Sequence, residues 1–449
     1  MAKQTTKDLT EGNPARLIVE YSLPILLGNL FQQLYNMIDT MIVGRLLGVD
    51  ALAGVGATGS VSFLIVGFCI GVCSGFAIPL AHRFGARDEE GLKKHLANSY
   101  ILSAGFSLVV TIIVSLLCKN ILIWMGTPED ILEYSYQYIL VIFLGIPVTF
   151  VYNILSGAIR AVGDSKTPLI FLIIASVLNI FLDYILIGHI GVAGAALATV
   201  TSQAFSGLLC IIAIKRRFKM LHISFRHLKP DPDCIKRLCG MGIPMGLQYS
   251  ITAIGSVILQ TSINSLGSLA VASITAANKV SMVFACILDA MGAAMATYGG
   301  QNVGAKRIDR VDQGLRACII MGIVYSIFAF IVLRFTGRFF ISLFIDSPSE
   351  ELLSNASYFL TVVSAFYILL AFVNIVRFLI QGMGFSTLAI LAGVLEMVAR
   401  TVTALALVPH FGFVGACFAS PLAWILADAF LFPAYFYVRK RLKKSFGQA

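Results

Sequence analysis

Asp39, Asn179 and Asp183 are the residues of this chain best suited to taking up and releasing a small cation. Asp39 is preceded at helical spacing by Gln32, Tyr35 and Asn36, so the four side chains project toward one helix face about two turns long. Asn179 and Asp183 are one turn apart on a second stretch, inside the otherwise apolar run from Ile170 to Ile187. Two carboxylates brought together in apolar surroundings repel each other unless a proton or a cation stands between them, and either state can serve as a switch. A charge at the centre of a bilayer costs on the order of 3 kcal/mol or more and persists mainly where function or pairing requires it. The blander alternative places Asp183 at the outer end of its helix, wet and inert.

Other polar groups survive in apolar surroundings. A stretch after Asp183 carries Thr199, Thr201, Ser202 and Gln203. Farther along stand Lys279 and Asp289, then Arg377, then Glu396 and Arg400 one turn apart, then Asp428. Glu396 with Arg400 reads equally as an internal ion pair and as a substrate contact. Pro24, two turns before Gln32, removes a backbone hydrogen bond and either permits a bend or fixes a kink; Pro244 occupies the near-equivalent later place.

The elements that must position these groups are membrane helices. With 58% apolar and 12% charged residues, too little polar surface remains to coat a soluble globule. Twelve apolar stretches can each cross the roughly 30 Å hydrocarbon core as a helix. The chain also repeats itself. His82-Arg83-Phe84-Gly85-Ala86-Arg87 returns as Gln301-Asn302-Val303-Gly304-Ala305-Lys306 and Leu47-Gly48 as Leu266-Gly267, both offset by 219 residues. Asn153, Gly163, His189 and Gly191 return as Asn374, Gly384, His410 and Gly412 at an offset of 221. A duplication of six helices plus six follows, with lobes at 1–220 and 221–449 and the break in the basic segment from Lys215 to Arg237. The fold class expected is an all-α integral membrane protein with twelve transmembrane helices in two six-helix bundles related by an internal repeat. Two such repeats in a membrane chain usually enclose a pathway that opens alternately to either side, which points toward secondary transport. The halves have diverged, since Asp183 and Asn179 correspond to Ala404 and Arg400.

Most of the 33 Lys and Arg residues lie at the two ends and in alternate loops, which predicts that both termini are cytoplasmic in a multi-pass protein of the cell (plasma) membrane. The formal charge of +10 is thus mainly a topology signal, and no nucleic-acid partner is expected. The polar first sixteen residues and long first apolar stretch argue against a secretory signal. Nine scattered cysteines without a CxxC pair suggest neither a disulfide framework nor a zinc site. His189 and His410 read as turn residues. No clustered nucleophile and base, and no HExxH set, favours an enzyme.

The Pro24, Gln32 and Asp39 helix, the Gly85-Ala86-Arg87 and Gly304-Ala305-Lys306 loops, and Leu178-Asn179 to Asp183 followed by Gly191-Val192-Ala193-Gly194-Ala195-Ala196 resemble the multidrug and toxic compound extrusion (MATE) family over the whole chain. The resemblance implies a V-shaped pair of bundles with a central cavity, exporting amphipathic, often cationic, small molecules in exchange for H+ or Na+, with no cofactor. It implies ion coupling at Asp39, Asn179, Asp183 and Thr201, a bend at Pro24, and a substrate cavity that includes Gln32 and Asn153, to which the stripe residues Tyr35 and Asn36 and, from the second half, Asp289 and Glu396 are added. Some members place an acidic coupling residue on the seventh helix; this chain offers Gln248, Ser250, Thr252 and Gln260 there, which favours coupling through the first half. A monomer in the bilayer is expected. The alternative weighed is a flippase for lipid-linked oligosaccharide or peptidoglycan precursors, against which stands the acidic character of the first half.

Overall fold

The computed structural model describes residues 6–343 and 349–448, so residues 1–5, 344–348 and 449 of the expected lobes lie outside the described residues. Among the described residues the regular elements are helical: α1 (Pro14–Leu47), α2 (Val49–Ala57), α3 (Gly59–Gly85), α4 (Glu89–Leu116), α5 (Cys118–Trp124), α6 (Glu129–Leu144), α7 (Ile146–Ala161), α8 (Lys166–Ile190), α9 (Val192–Arg217), α10 (Pro232–Asn264), α11 (Ser268–Gly304), α12 (Ile308–Ser342), α13 (Glu350–Ala365), α14 (Tyr367–Gly382), α15 (Ser386–Val402), α16 (Val408–Cys417) and α17 (Ala419–Ser445). Lipid offers the backbone no hydrogen bonds, so long apolar segments satisfy their own N–H and C=O groups as helices. Their starts are written locally. Asp88 accepts from the Gly91 amide at 2.8 Å ahead of Glu89 and Glu90, and Ser349 accepts from the Leu352 amide at 3.2 Å ahead of Glu350 and Glu351.

Among the described residues nine helical spans are long and apolar enough to cross a bilayer, one of them running from Ser386 to Cys417 through α15, a π-helical turn and α16. Two further spans are bent pairs, α6 with α7 at 47° and α13 with α14 at 49°. The first bend falls at Gly145, with Pro147 unable to supply a backbone donor to the turn before it. The sequence alone suggested unbroken crossings there. The twelfth span is α1, 34 residues long, whose interior carries Gln32, Gln33, Asn36 and Asp39 and is correspondingly less apolar.

The duplication is visible in the backbone. Gly48 and Gly267 have φ of 89° and 93°, Gly163 and Gly384 of 90° and 94°, and Gly191 and Gly412 of 65° and 55°. Arg87 and Lys306, non-glycine residues, share the left-handed region at 55° and 58°. His189 and His410 each place Nδ1 on the carbonyl four residues earlier, at 2.8 and 2.7 Å.

Two compact units result: unit 1 is Met1–Asp8 with Leu27–Ser250, and unit 2 is Leu9–Leu26 with Ile251–Ala449. In unit 1, α3 packs on α7, α8 on α9, and α7 on α9, around a core that includes Val72, Phe76, Phe143, Phe150 and Leu238. The contact of α3 with the first part of α10 is close because both sides are glycine: a Cβ on Gly75 would stand 2.5 Å from Gly242 Cα. In unit 2, α11 packs on α14, α12 on α13 and α15 on α17, with Leu17, Ile18 and Tyr21 of the first part of α1 buried among them.

Candidate functional site

In unit 1, the stripe on α1 and the pair on α8 meet. With its amide oriented to satisfy both partners, Asn179 donates to Asp39 Oδ1 at 2.9 Å and Oδ2 at 3.3 Å. Asp183, one turn farther along α8, is fully buried, and its carboxyl lies within hydrogen-bonding reach of that of Asp39. Neither Asp183 oxygen receives a hydrogen bond from a donor among the described residues. The wet, inert reading of Asp183 is therefore set aside. Two carboxyl groups can bond to each other only through a proton, and two carboxylates at that range otherwise require a cation.

The rest of the stripe is more open. Gln32 and Asn36 are exposed, while Tyr35 and Asp39 are half-buried. Tyr35 and Gln32 lie close to one turn apart on the same helix face. Tyr138 on α6, outside the sequence-derived set, is an electrostatic neighbour of Asp39, Tyr35 and Asp183. Its only signal was a phenol in an apolar helix, which reads as core packing. Thr201 is exposed on α9, and among the described residues no hydrogen bond joins it to either carboxyl. Asn153 donates to the Thr149 carbonyl of its own helix at 2.8 Å, and the Thr149 hydroxyl bonds Gln203 Oε1 at 2.8 Å. Pro24 lies inside α1, which continues helical on both sides of it.

Unit 2 gathers its own charges. Asp289, exposed on α11, accepts from Asn374 Nδ2 at 2.8 Å; Asn374 is the repeat counterpart of Asn153. Behind it the Arg377 guanidinium contacts the Glu396 carboxylate, whose other oxygen is 3.4 Å from Arg400. Glu396 is buried between two guanidinium groups, so its carboxylate is already committed. Asp428 on α17 is buried with both oxygens free of hydrogen bonds among the described residues. Unit 1 thus holds carboxyl groups with one amide, whereas unit 2 mixes carboxylates with arginines.

The comparisons with known proteins agree with this architecture. The MatE family profile matches the chain twice, over residues 24–185 and 244–405, in step with the internal repeat. The chain is 28% identical over 351 residues to the probable multidrug resistance protein YoeA of Bacillus subtilis (strain 168), covering 76% of each protein. It is 28% identical over 343 residues to the probable multidrug resistance protein YpnP of the same organism, covering 76% of this chain and 77% of that one. A solved structure described as the outward-facing conformation of a multidrug resistance MATE family transporter of the MOP superfamily matches with a TM-score of 0.90 at 24% identity, over 99% of each chain. That last likeness shows the fold. The doubled family match, covering most of the chain, shows that this protein belongs to the MATE family and is a transporter, not an enzyme.

Proposed function

We propose that this chain is a secondary antiporter that exports amphipathic, cationic small molecules in exchange for protons, coupled through Asp39 and Asp183. The observation that carries the reading is the pair itself: a buried Asp183 carboxyl with no donor among the described residues, facing Asp39. The names of the relatives, both multidrug resistance proteins, support drugs as the cargo. Protons are favoured over Na+ because Thr201 adds no oxygen to the pair. Sodium would need several converging oxygen ligands.

In this mechanism Asp39 and the exposed Gln32 and Asn36 meet the substrate, with Tyr35 and Asn153 shaping that side. Within unit 2, Asp289 offers an exposed carboxylate as a further substrate contact, backed by Glu396 through its arginines. Proton uptake by the Asp39–Asp183 pair removes negative charge, weakens the attraction for a cation, and allows α1 to rearrange at Pro24. Drug leaves outward. The duplicated halves, 1–220 and 221–449, then expose the site to the other side. Both termini face the cytoplasm, the protein resides as a monomer in the plasma membrane, and the drug and ion alternate because they compete for the same charge.

The test is efflux of a fluorescent lipophilic cation from proteoliposomes under an imposed proton gradient or an imposed sodium gradient, with Asp39→Asn alongside. Proton-driven movement lost in the variant supports the proposal. Movement driven by sodium alone overturns the choice of ion, and none under either gradient, with folded protein present, overturns antiport.

A further inference from the structure

Arg310, near the start of α12, is 6% exposed and forms no ion pair among the described residues. Its guanidinium is directed instead at the chain that precedes α1. Nη2 donates to the Gly12 carbonyl at 3.0 Å and the Leu9 carbonyl at 3.4 Å, and Nε donates to Asn302 Oδ1 at 3.2 Å. Asn302 Nδ2 donates to the same Leu9 carbonyl at 3.2 Å, Gln301 Oε1 accepts from the Leu9 amide at 2.9 Å, and Arg307 Nη1 donates to the Thr10 carbonyl at 3.1 Å. The Tyr298 hydroxyl fixes the arginine from behind, donating to its carbonyl at 2.8 Å. A planar guanidinium with donors in a fixed fork can hold several carbonyls in a set geometry. The repeated loop motif of the second half thus clasps residues Leu9–Gly12.

The relation recurs in unit 1 with other chemistry. Just before α10, the Asp231 amide donates to Asn98 Oδ1 at 2.9 Å, and Lys94 Nζ meets Asp231 Oδ2 at 2.6 Å, both partners coming from α4. The lead-in to the first helix of each repeat is therefore held by the start of a helix from the other repeat. Both clasped helices carry an internal proline, Pro24 in α1 and Pro244 in α10. In α1 the residues through Leu26 group with unit 2, two positions beyond Pro24, with Leu17, Ile18 and Tyr21 buried there. A bend displaces one arm of a helix only if the other arm is held.

We infer that Arg310 is a positioning residue for transport: by holding Leu9–Gly12 it fixes the base of α1, so that bending at Pro24 moves the Gln32–Asp39 face instead of turning the whole helix. The inference rests on the antiport reading above. It differs from a packing role in what it demands of the kinetics. A residue that merely stabilises the fold changes the amount of folded protein; a residue that holds the fixed arm of a hinge changes turnover per folded molecule and does so only while the hinge works.

The test uses the full chain in proteoliposomes with rhodamine 6G as the transported probe, together with hydrogen–deuterium exchange. Arg310→Ala is expected to lower turnover about tenfold with KM within about twofold, the scale of losing hydrogen bonds from a charged donor. Arg310→Lys, which keeps the cation and one carbonyl contact but not the planar fork, is expected to restore part of that turnover. Combined with Pro24→Ala, Arg310→Ala is expected to add no further loss, because both changes disable one device. Exchange is expected to rise at Leu9–Gly12 and also in α1 around Gln32–Asp39. If Arg310→Ala fails to fold, deletion of residues 2–12 removes the same contacts from the other side and is expected to give the same kinetic split. Wild-type turnover alongside accelerated exchange at Leu9–Gly12, or losses that add in the double variant, overturns the inference. Absence of gradient-driven transport in the wild type sinks the antiport reading instead; exchange then decides the clasp, and a rise confined to Leu9–Gly12, with Gln32–Asp39 unchanged, overturns it.

Discussion

With its amide turned to present N–H, Asn179 on α8 donates to Asp39 on α1 at 2.9 Å, tying together two helices whose polar residues lie 140 positions apart in the chain. The bond supplies Asp39 with a donor and leaves Asp183, one turn away, without a hydrogen-bond donor among the described residues. Asp183→Asn places a permanent amide donor where a shared proton would otherwise be needed. The variant should fold, and gradient-driven efflux in proteoliposomes should be abolished. Asn179→Leu, which removes a hydrogen bond to a charged group worth about 1.5–3 kcal/mol, should lower efflux roughly 10- to 100-fold. Wild-type efflux in Asp183→Asn would remove the pair from the mechanism.

Thr201 separates the two ions. A proton needs one carboxyl of the pair, whereas Na+ needs every oxygen within reach, hydroxyls included. Because Thr201 is exposed and unconnected to Asp39 by any hydrogen bond among the described residues, Thr201→Ala should change proton-driven efflux by less than about twofold, below 0.5 kcal/mol. A loss of tenfold or more, recovered by raising sodium, would argue for Na+.

Much of this fold is legible in the sequence. Apolar length defined the crossings, and the offset repeat marked positions, Arg87 and Lys306 among them, at which the backbone conformations prove to be paired. The polar stripe on α1 and the Asn179–Asp183 pair stood out because a bilayer makes such residues costly. The bend at Gly145 was hidden, since one glycine and one proline do not interrupt an apolar run. Tyr138 was hidden too, because burial of a phenol and participation in a polar site look the same in one dimension. The grip of Arg310 on Leu9 spans 301 positions and ends on a backbone carbonyl, a target that carries no side-chain signature at all. Glu396 was legible only as an i, i+4 partner of Arg400; its contact with Arg377 comes from a neighbouring helix.

That contact makes Glu396 a sensitive charge in unit 2. Glu396→Gln leaves Arg377 and Arg400 facing each other in a buried site, and stranding a buried charge costs about 3–5 kcal/mol. Arg400→Gln, which leaves Glu396 its contact with Arg377, should cost less. Thermal unfolding in detergent should rank the variants in that order, with the triple change Arg377→Met, Glu396→Leu, Arg400→Met recovering most of the stability. A Glu396→Gln protein as stable as the wild type would mean that the arginines are neutralised elsewhere.

The contact of α3 with α10 in unit 1 predicts a steric failure. A Cβ on Gly75 would stand 2.5 Å from Gly242 Cα and 2.6 Å from the Met241 carbonyl, backbone atoms that cannot rotate away. Gly75→Ala should therefore destabilise by roughly 1–3 kcal/mol despite the helical preference of alanine. Gly56, with nothing within 4 Å of a built Cβ, is the control, and Gly56→Ala should be neutral or slightly stabilising. Equal melting temperatures for the two variants would show that the helices can separate there at little cost.

The Asp231–Lys94 pair sets a limit on where pH can act. The Lys94 ammonium at 2.6 Å, followed by the Cys234 amide, holds the Asp231 carboxyl down to about 2 from an ordinary 3.8. A carboxyl depressed on folding contributes stability that is present above its unfolded value and lost as pH falls through its folded one. The window for this pair is thus about 3.8 down to about 2, far below the range in which transport would be measured. Asp231→Asn should accordingly leave the shape of the efflux–pH profile between about pH 5 and 8 unchanged, while making the residual effect of the pair insensitive to salt. A displaced midpoint in that variant would place a titrating group of the lead-in to α10, and not the Asp39–Asp183 pair alone, in control of the cycle.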